Sequence, residues 1–121
     1  MTAGAPWPSE LRLAPAKDAL VVSFDTGESF TLSAEYLRVE SPSAEVQGHS
    51  PDQKKTVPGK RNVTIVSIEP VGNYAVRLGF DDGHDTGLYS WEYLHRLGRE
   101  FADKWQVYLS ALRAKGLSRD A

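Results

Sequence analysis

The stretch FDDGHDTG at residues 80–87 sets His84 among Asp81, Asp82 and Asp85. Imidazole and carboxylate both bind divalent cations, so metal coordination is the first chemistry to weigh. A structural site needs about four converging ligands, whereas neighbouring side chains on a hairpin diverge. A second group lies upstream, where Ser41, Ser43 and Ser50 share a loop with His49. Serine and histidine can form a nucleophile–base pair, but nothing nearby reads as an oxyanion hole. The third histidine is His95. Two places after His49, His84 and His95 stand Pro51, Thr86 and Leu97. The His-x-Asp/Glu part of a non-haem iron triad is therefore absent. There is no Gly-x-x-x-x-Gly-Lys-Ser/Thr loop and no Gly-x-Ser-x-Gly elbow, and Gly72, Gly79 and Gly83 lack dinucleotide spacing. Lys54-Lys55 and Lys60-Arg61 flank Pro58-Gly59, a basic pairing suited to phosphate or to an acidic partner. Trp91, Tyr93 and Trp105 could form a recognition surface, but their helical spacing reads more simply as packing.

The chain has 121 residues, enough for one domain with a modest core. Its net charge of −2 gives no basic excess pointing to nucleic acid or an anionic membrane. It has no cysteine, which excludes disulfides, thiolate nucleophiles, cysteine-held zinc and iron–sulfur ligation within the chain. MTAGAPWPSE has neither a basic nor an apolar signal region, and no apolar run approaches the roughly eighteen residues of a membrane helix. The expected location is the cytoplasm.

These residues need elements to position them. Residues 1–9 are expected to be flexible. Leu11 and Leu13, then Leu20, Val22 and Phe24, repeat every second residue, as strands do. Asp25-Thr26-Gly27-Glu28 is a hairpin turn leading to a strand with Phe30 and Leu32. Ser33 is the expected cap of a helical turn containing Tyr36 and Leu37. Residues 39–61 show no period and read as a long loop. Val63, Ile65, Val66 and Ile68 suggest a strand partly covered on both faces, and Tyr74, Val76, Leu78 and Phe80 alternate cleanly. A helix is expected from Ser90 to Lys115, with Gly98 as a possible break and Gly116 as its cap. Its apolar stripe is Leu94, Leu97, Phe101, Trp105, Tyr108, Leu109 and Leu112. The chain also echoes itself: FDTGESFTLSAEYLR at 24–38 and FDDGHDTGLYSWEYLHR at 80–96 both read strand, Asp-x-Gly turn, short strand, Ser-x-Glu-Tyr-Leu. Glu28 in the first copy stands where His84 stands in the second, so the turn needs no histidine. His84 is accordingly expected at the surface, with its removal costing only about 0.5 kcal/mol.

WPSELRL, the run FDTGESFTLSAEYLRVESPSAEVQGH and the run IEPVGNYAVRLGFDDGHDTGLYSWEYLHRLG together resemble the gamma-butyrobetaine hydroxylase-like N-terminal domain family. The resemblance covers about residues 7–98. In the eukaryotic hydroxylases this small domain precedes a separate Fe(II)/2-oxoglutarate oxygenase domain. There it holds zinc through Cys-x-Cys-x-x-Cys, after Trp/Tyr-Leu-Arg, plus one histidine. The matching positions here are Ser41, Ser43 and Val46, after Tyr36-Leu37-Arg38, and His84. The resemblance thus implies that His84 is the one remaining zinc-ligand position, and zinc is expected to be absent. Stand-alone bacterial members have no assigned function, and similar domains occur fused to P-loop ATPases linked to iron–sulfur cluster assembly.

The expected fold is α+β: a small twisted, mostly antiparallel sheet with a short helix and a C-terminal amphipathic helix packed on it. The domain is expected over 10–98, with a helical extension over 99–121. The expected function is a non-catalytic interaction or accessory module, linked to iron–sulfur or metal-related pathways. Its partner is an unknown protein, a P-loop ATPase of iron–sulfur assembly being the suggested one. Ser41, Ser43, Glu45, Gln47, His49 and His84 are the candidate partner-binding residues. The alternative is weak metal binding by His84 with His49. A small enzyme of unrecognised type is the third reading.

Overall fold

The computed structural model describes residues 6–120, so residues 1–5 of the N-terminal segment expected to be flexible lie outside the described residues. The first strand, β1, already begins at Pro8 and runs to Leu13. It is followed by β2 (Ala19–Phe24), β3 (Ser29–Ser33), α1 (Ala34–Val39) and α2 (Ala44–Gln47). Then come β4 (Ile65–Val71), β5 (Ala75–Phe80), β6 (Gly87–Ser90), α3 (Trp91–Arg99) and α4 (Phe101–Ala114). The class is α+β. Instead of one sheet there are two antiparallel three-stranded sheets, β1-β2-β3 and β4-β5-β6, joined by a backbone hydrogen bond from Ile65 N to Lys17 O at 2.8 Å.

The internal echo explains the division. Each copy builds its own hairpin and its own helix. Gly27 and Gly83 both take positive φ, 91° and 90°, as the turns require. Phe24 N donates to Glu28 O at 2.8 Å, and Phe80 N to His84 O at 2.9 Å. Ser33 Oγ accepts from Tyr36 N and Ser90 Oγ from Tyr93 N, so both expected caps are made. Inward residues of both sheets share one core: Leu20, Val22, Phe24 and Leu32 from the first, Ile65, Val76, Leu78 and Phe80 from the second. Tyr36, Leu37, Leu94 and Leu97 fill it from the helices. Val66 and Tyr74, which the alternation placed against a covered face, are exposed.

The two helices cross-link the copies. Tyr36 Oη donates to Leu97 O in the last turn of α3 (2.7 Å), and Tyr93 Oη donates to Glu40 O at the end of α1 (2.6 Å). Carbonyls at a helix end have no partner within their own helix, so each half supplies the other's missing donor.

The long C-terminal helix is broken at Glu100 rather than at Gly98. Gly98 serves packing: a Cβ there would lie 2.4 Å from the Phe30 ring. Past the break runs α4. It packs on α1 and the 55–58 segment, with Phe101 edge-on to Tyr36 at 4.9 Å and Tyr108 Oη donating to Val57 O at 2.6 Å. The expected core stripe is therefore interrupted: Leu94, Leu97, Tyr108 and Leu112 are buried, Trp105 is half-buried and Phe101 is exposed. The residues after α4 are tied in as well, since Gly59 N donates to Ser118 O and Arg61 N to Arg119 O.

Gly98→Ala should destabilise the fold by about 1–3 kcal/mol, the usual range for overpacking. Trp105→Ala should cost about 2 kcal/mol, below the range for a fully buried large aromatic. Urea denaturation reads both, and a parental midpoint in Gly98→Ala would show that Phe30 does not close on the helix.

Candidate functional site

The loop after α1 and the β5–β6 turn meet at Ser41 and His84. Ser41 Oγ lies 2.8 Å from His84 Nε2, and His84 Nδ1 lies 3.3 Å from Glu45 Oε1. Ser41 Oγ also accepts from Ser43 N at 3.2 Å, which leaves its own proton for Nε2. Ser43 caps α2 and bonds Thr86 Oγ1 at 2.8 Å, and Thr86 in turn donates to Glu45 at 3.2 Å. Gln47 Nε2 donates to Ser41 O at 2.8 Å. Ser41, Ser43, Glu45, Gln47 and His84 thus form one hydrogen-bonded group.

His49 stands apart. Its backbone N–H donates to Gln53 Oε1, and its side chain borders a separate cleft with Gln47, Ser50 and Lys104. The expected pairing of His49 with His84 is not brought together.

The expectation of a surface His84 is corrected. The residue is 7% exposed, because the 41–46 segment folds over the turn. Its copy-one counterpart, Glu28, instead faces His95, with Oε1 2.7 Å from Nε2. The same backbone turn therefore carries a buried group in one half and a half-exposed one in the other.

Serine, histidine and glutamate in this order have the connectivity of a hydrolase triad. Access decides against that chemistry. Ser41 is fully buried, and it packs so closely on Gly87 that a Cβ there would lie 2.6 Å from Ser41 Oγ. An open cleft of about 390 Å³ reaches Arg38, Glu45, Val46 and His84, and its lining does not include Ser41.

The zinc of the resembling hydroxylases does not fit these residues. Val46 offers no donor atom, both serine hydroxyls are engaged, and each ring nitrogen of His84 faces a neighbour. Among the described residues no group of three or more His, Cys, Asp or Glu side chains is placed to hold a metal.

Arg38 and Asp82 complete the surroundings. Arg38 Nε and Lys60 Nζ both bond Asp82 Oδ2, at 2.8 and 2.7 Å, while Asp82 Oδ1 accepts from His84 N at 3.0 Å. Although burial opposes it, these three donors hold the Asp82 carboxyl down at about 2. Sequence reasoning missed Arg38 and Thr86 in the His84 group and Lys60 beside Asp82. The available signal for Arg38 was the echo, which aligns it with His95.

Burial first, and the Arg38 charge second, push the His84 imidazole below the ordinary histidine value, against the pull of Glu45 and Asp82. As pH falls, the unfolded chain takes up this proton before the native one does. The His84 contribution to stability is then complete above about pH 6.5 and is lost as pH drops toward the lowered native value. An NMR titration of the His84 ring should give a midpoint below that of free histidine, and a midpoint at or above it would refute the burial argument. His84→Ala should cost about 1–3 kcal/mol rather than the small amount for a surface residue, because Ser41 loses its buried acceptor. Thermal melting checks this.

Comparisons with known proteins agree with the architecture. The gamma-butyrobetaine hydroxylase-like, N-terminal family matches residues 11–95. No curated protein matches. Two protein structures solved by NMR in solution are 46% and 52% identical, each with a TM-score of 0.82. They cover 97% and 98% of this chain, and 92% and 90% of their own. A crystal structure of a protein of unknown function from Acidithiobacillus ferrooxidans, of the DUF971 family, is 41% identical with a TM-score of 0.63. It covers 75% of this chain and 91% of its own. The paired turns, the two helix caps and the match across the span that carries both copies make this chain a member of the gamma-butyrobetaine hydroxylase-like N-terminal domain family.

Proposed function

We propose that the chain is a non-catalytic accessory module that docks on a protein partner through the face formed by the 41–49 loop and the His84 turn. The observation that carries this reading is the Ser41–His84–Glu45 group, in which the serine is buried, each imidazole nitrogen faces a neighbour and the Glu45 side chain stays exposed at the cleft. Its polar atoms hold a loop in place. That loop is one rim of an open cleft bordered by Val46, Val57 and Pro58. A fixed concave rim with apolar and charged members suits protein recognition.

The module works, on this reading, in the cytoplasm and without resident zinc or iron. No helix among the described residues is long and apolar enough to cross a membrane. Similar domains fused to P-loop ATPases linked to iron–sulfur cluster assembly make such an ATPase the first partner to test, and an iron–sulfur or metal-related pathway the first setting.

The test uses a photo-crosslinking residue at Thr56, on the cleft, and at Arg77, exposed on β5. An adduct with one partner is expected from position 56 and not from 77. No adduct, or the same adduct from both, would overturn the reading. Elemental analysis of untagged protein should find no stoichiometric zinc or iron, and a stoichiometric content would reopen metal binding at His84.

A further inference from the structure

The cleft beside the 41–49 loop has an unbalanced charge pattern. Its lining brings Arg38, Lys55 and His84 together with Val46, Val57 and Pro58. A single carboxylate, Asp82, serves both Arg38 and Lys60 through one oxygen. Arg38 bonds it through Nε, and its buried Nη1 has no hydrogen-bond partner among the described residues. That nitrogen is closed to solvent, so the part of Arg38 open to an incoming group is the part that lines the cleft. Lys55 is exposed and makes no ion pair among the described residues. Its backbone is nevertheless anchored, since Lys55 N donates to Val46 O at 2.7 Å. The acidic group on this lining, Glu45, is turned to Thr86 and His84 while its side chain stays 61% exposed, so Lys55 and the Arg38–Lys60 pair outweigh Glu45 and Asp82 by one charge. His84 supplies no acceptor to the cleft, because both ring nitrogens are engaged.

We propose that this cleft is a receptor for a carboxylate side chain on an extended acidic segment of the partner protein. The inference rests on the docking reading above and names the chemistry of that partner. The carboxylate meets the Arg38 guanidinium and the Lys55 ammonium, a pairing strengthened by the sheltered position of Arg38, whose side chain is 12% exposed. Val46, Val57 and Pro58 cover an apolar side chain next to it. That apolar wall favours a peptide over a free anion, which would leave the wall bare. The volume of about 390 Å³ accommodates both side chains.

The test is an NMR titration of the ¹⁵N-labelled full chain with acetyl-Leu-Glu-Glu-Leu-Asp-amide. Controls are the same peptide with Gln and Asn in place of its acids, N-acetylglutamate, and inorganic phosphate. The acidic peptide should shift the amides of Val46, Lys55, Val57 and His84. Its affinity should fall about tenfold or more in Lys55→Glu, and should weaken with salt. Lys55 is exposed, so this variant keeps the fold, and Arg38→Gln provides a second reading where it folds. Equal binding of the Gln/Asn peptide, or parental affinity in Lys55→Glu, overturns the proposal. N-acetylglutamate or phosphate producing the same shifts at the same concentration also overturns it, in favour of a small-anion site. A partner adduct at Thr56 that persists in Lys55→Glu overturns carboxylate recognition and leaves the docking reading intact.

Discussion

Two crossed tyrosine hydrogen bonds hold the two halves of this chain together. Tyr36 reaches the end of α3 and Tyr93 reaches the end of α1. A three-stranded sheet with one short helix has too little area to bury its own apolar face. The two copies solve this by facing each other, and the helices then lie where their last carbonyls need donors. A buried carbonyl with no donor is costly, so these contacts fix the relative position of the halves as well as adding stability. Burial raises both phenols well above the ordinary tyrosine value, which keeps them protonated as donors. Tyr89 Oη supplies Leu37 O in the same way.

The C-terminal part closes over this joint. Phe101 and Trp105 pack edge-on against Tyr36, and Arg119 lies over the Trp105 ring while pairing with both oxygens of buried Glu35. A buried carboxylate needs a charge partner, and Arg119 comes from 84 residues further along the chain to provide it. Residues 99–120 are therefore part of the packed structure. The near-complete coverage by both NMR-solved relatives agrees with this.

Side-chain hydrogen bonds tie the loop of 41–49 to the His84 turn. At the four positions that hold zinc in the resembling hydroxylases, two hydroxyls, an aliphatic side chain and one imidazole meet. The hydroxyl of Ser41 hydrogen-bonds His84 directly. The loop and the turn are held together by these side-chain hydrogen bonds. The open cleft lined by Arg38, Lys55 and Val57 lies beside this group.

Local structure was largely legible in the sequence, because local backbone chemistry specifies it. Asp-x-Gly marked both turns, Ser33 and Ser90 marked both caps, and two-residue alternation marked most of the strands. The echo between 24–38 and 80–96 disclosed the repeated unit, and the family could be recognised from the residues alone. Burial of His84 was not legible. In one copy the turn carries Glu28 beside His95, and in the other it carries His84 beneath Ser41. Nothing within either turn distinguishes the two, since the covering segment is 43 residues away in the chain. The same limit applied to Trp105. Helical spacing put it on the apolar stripe, but the bend at Glu100 set which side of that stripe met the core. The sequence by itself determined turns, caps, strand alternation and family, all of which depend on neighbours along the chain. Only the tertiary structure decided the division into two sheets, the burial of His84 and the pairing of Arg38 and Lys60 with Asp82, because each depends on groups brought together by packing across distant segments.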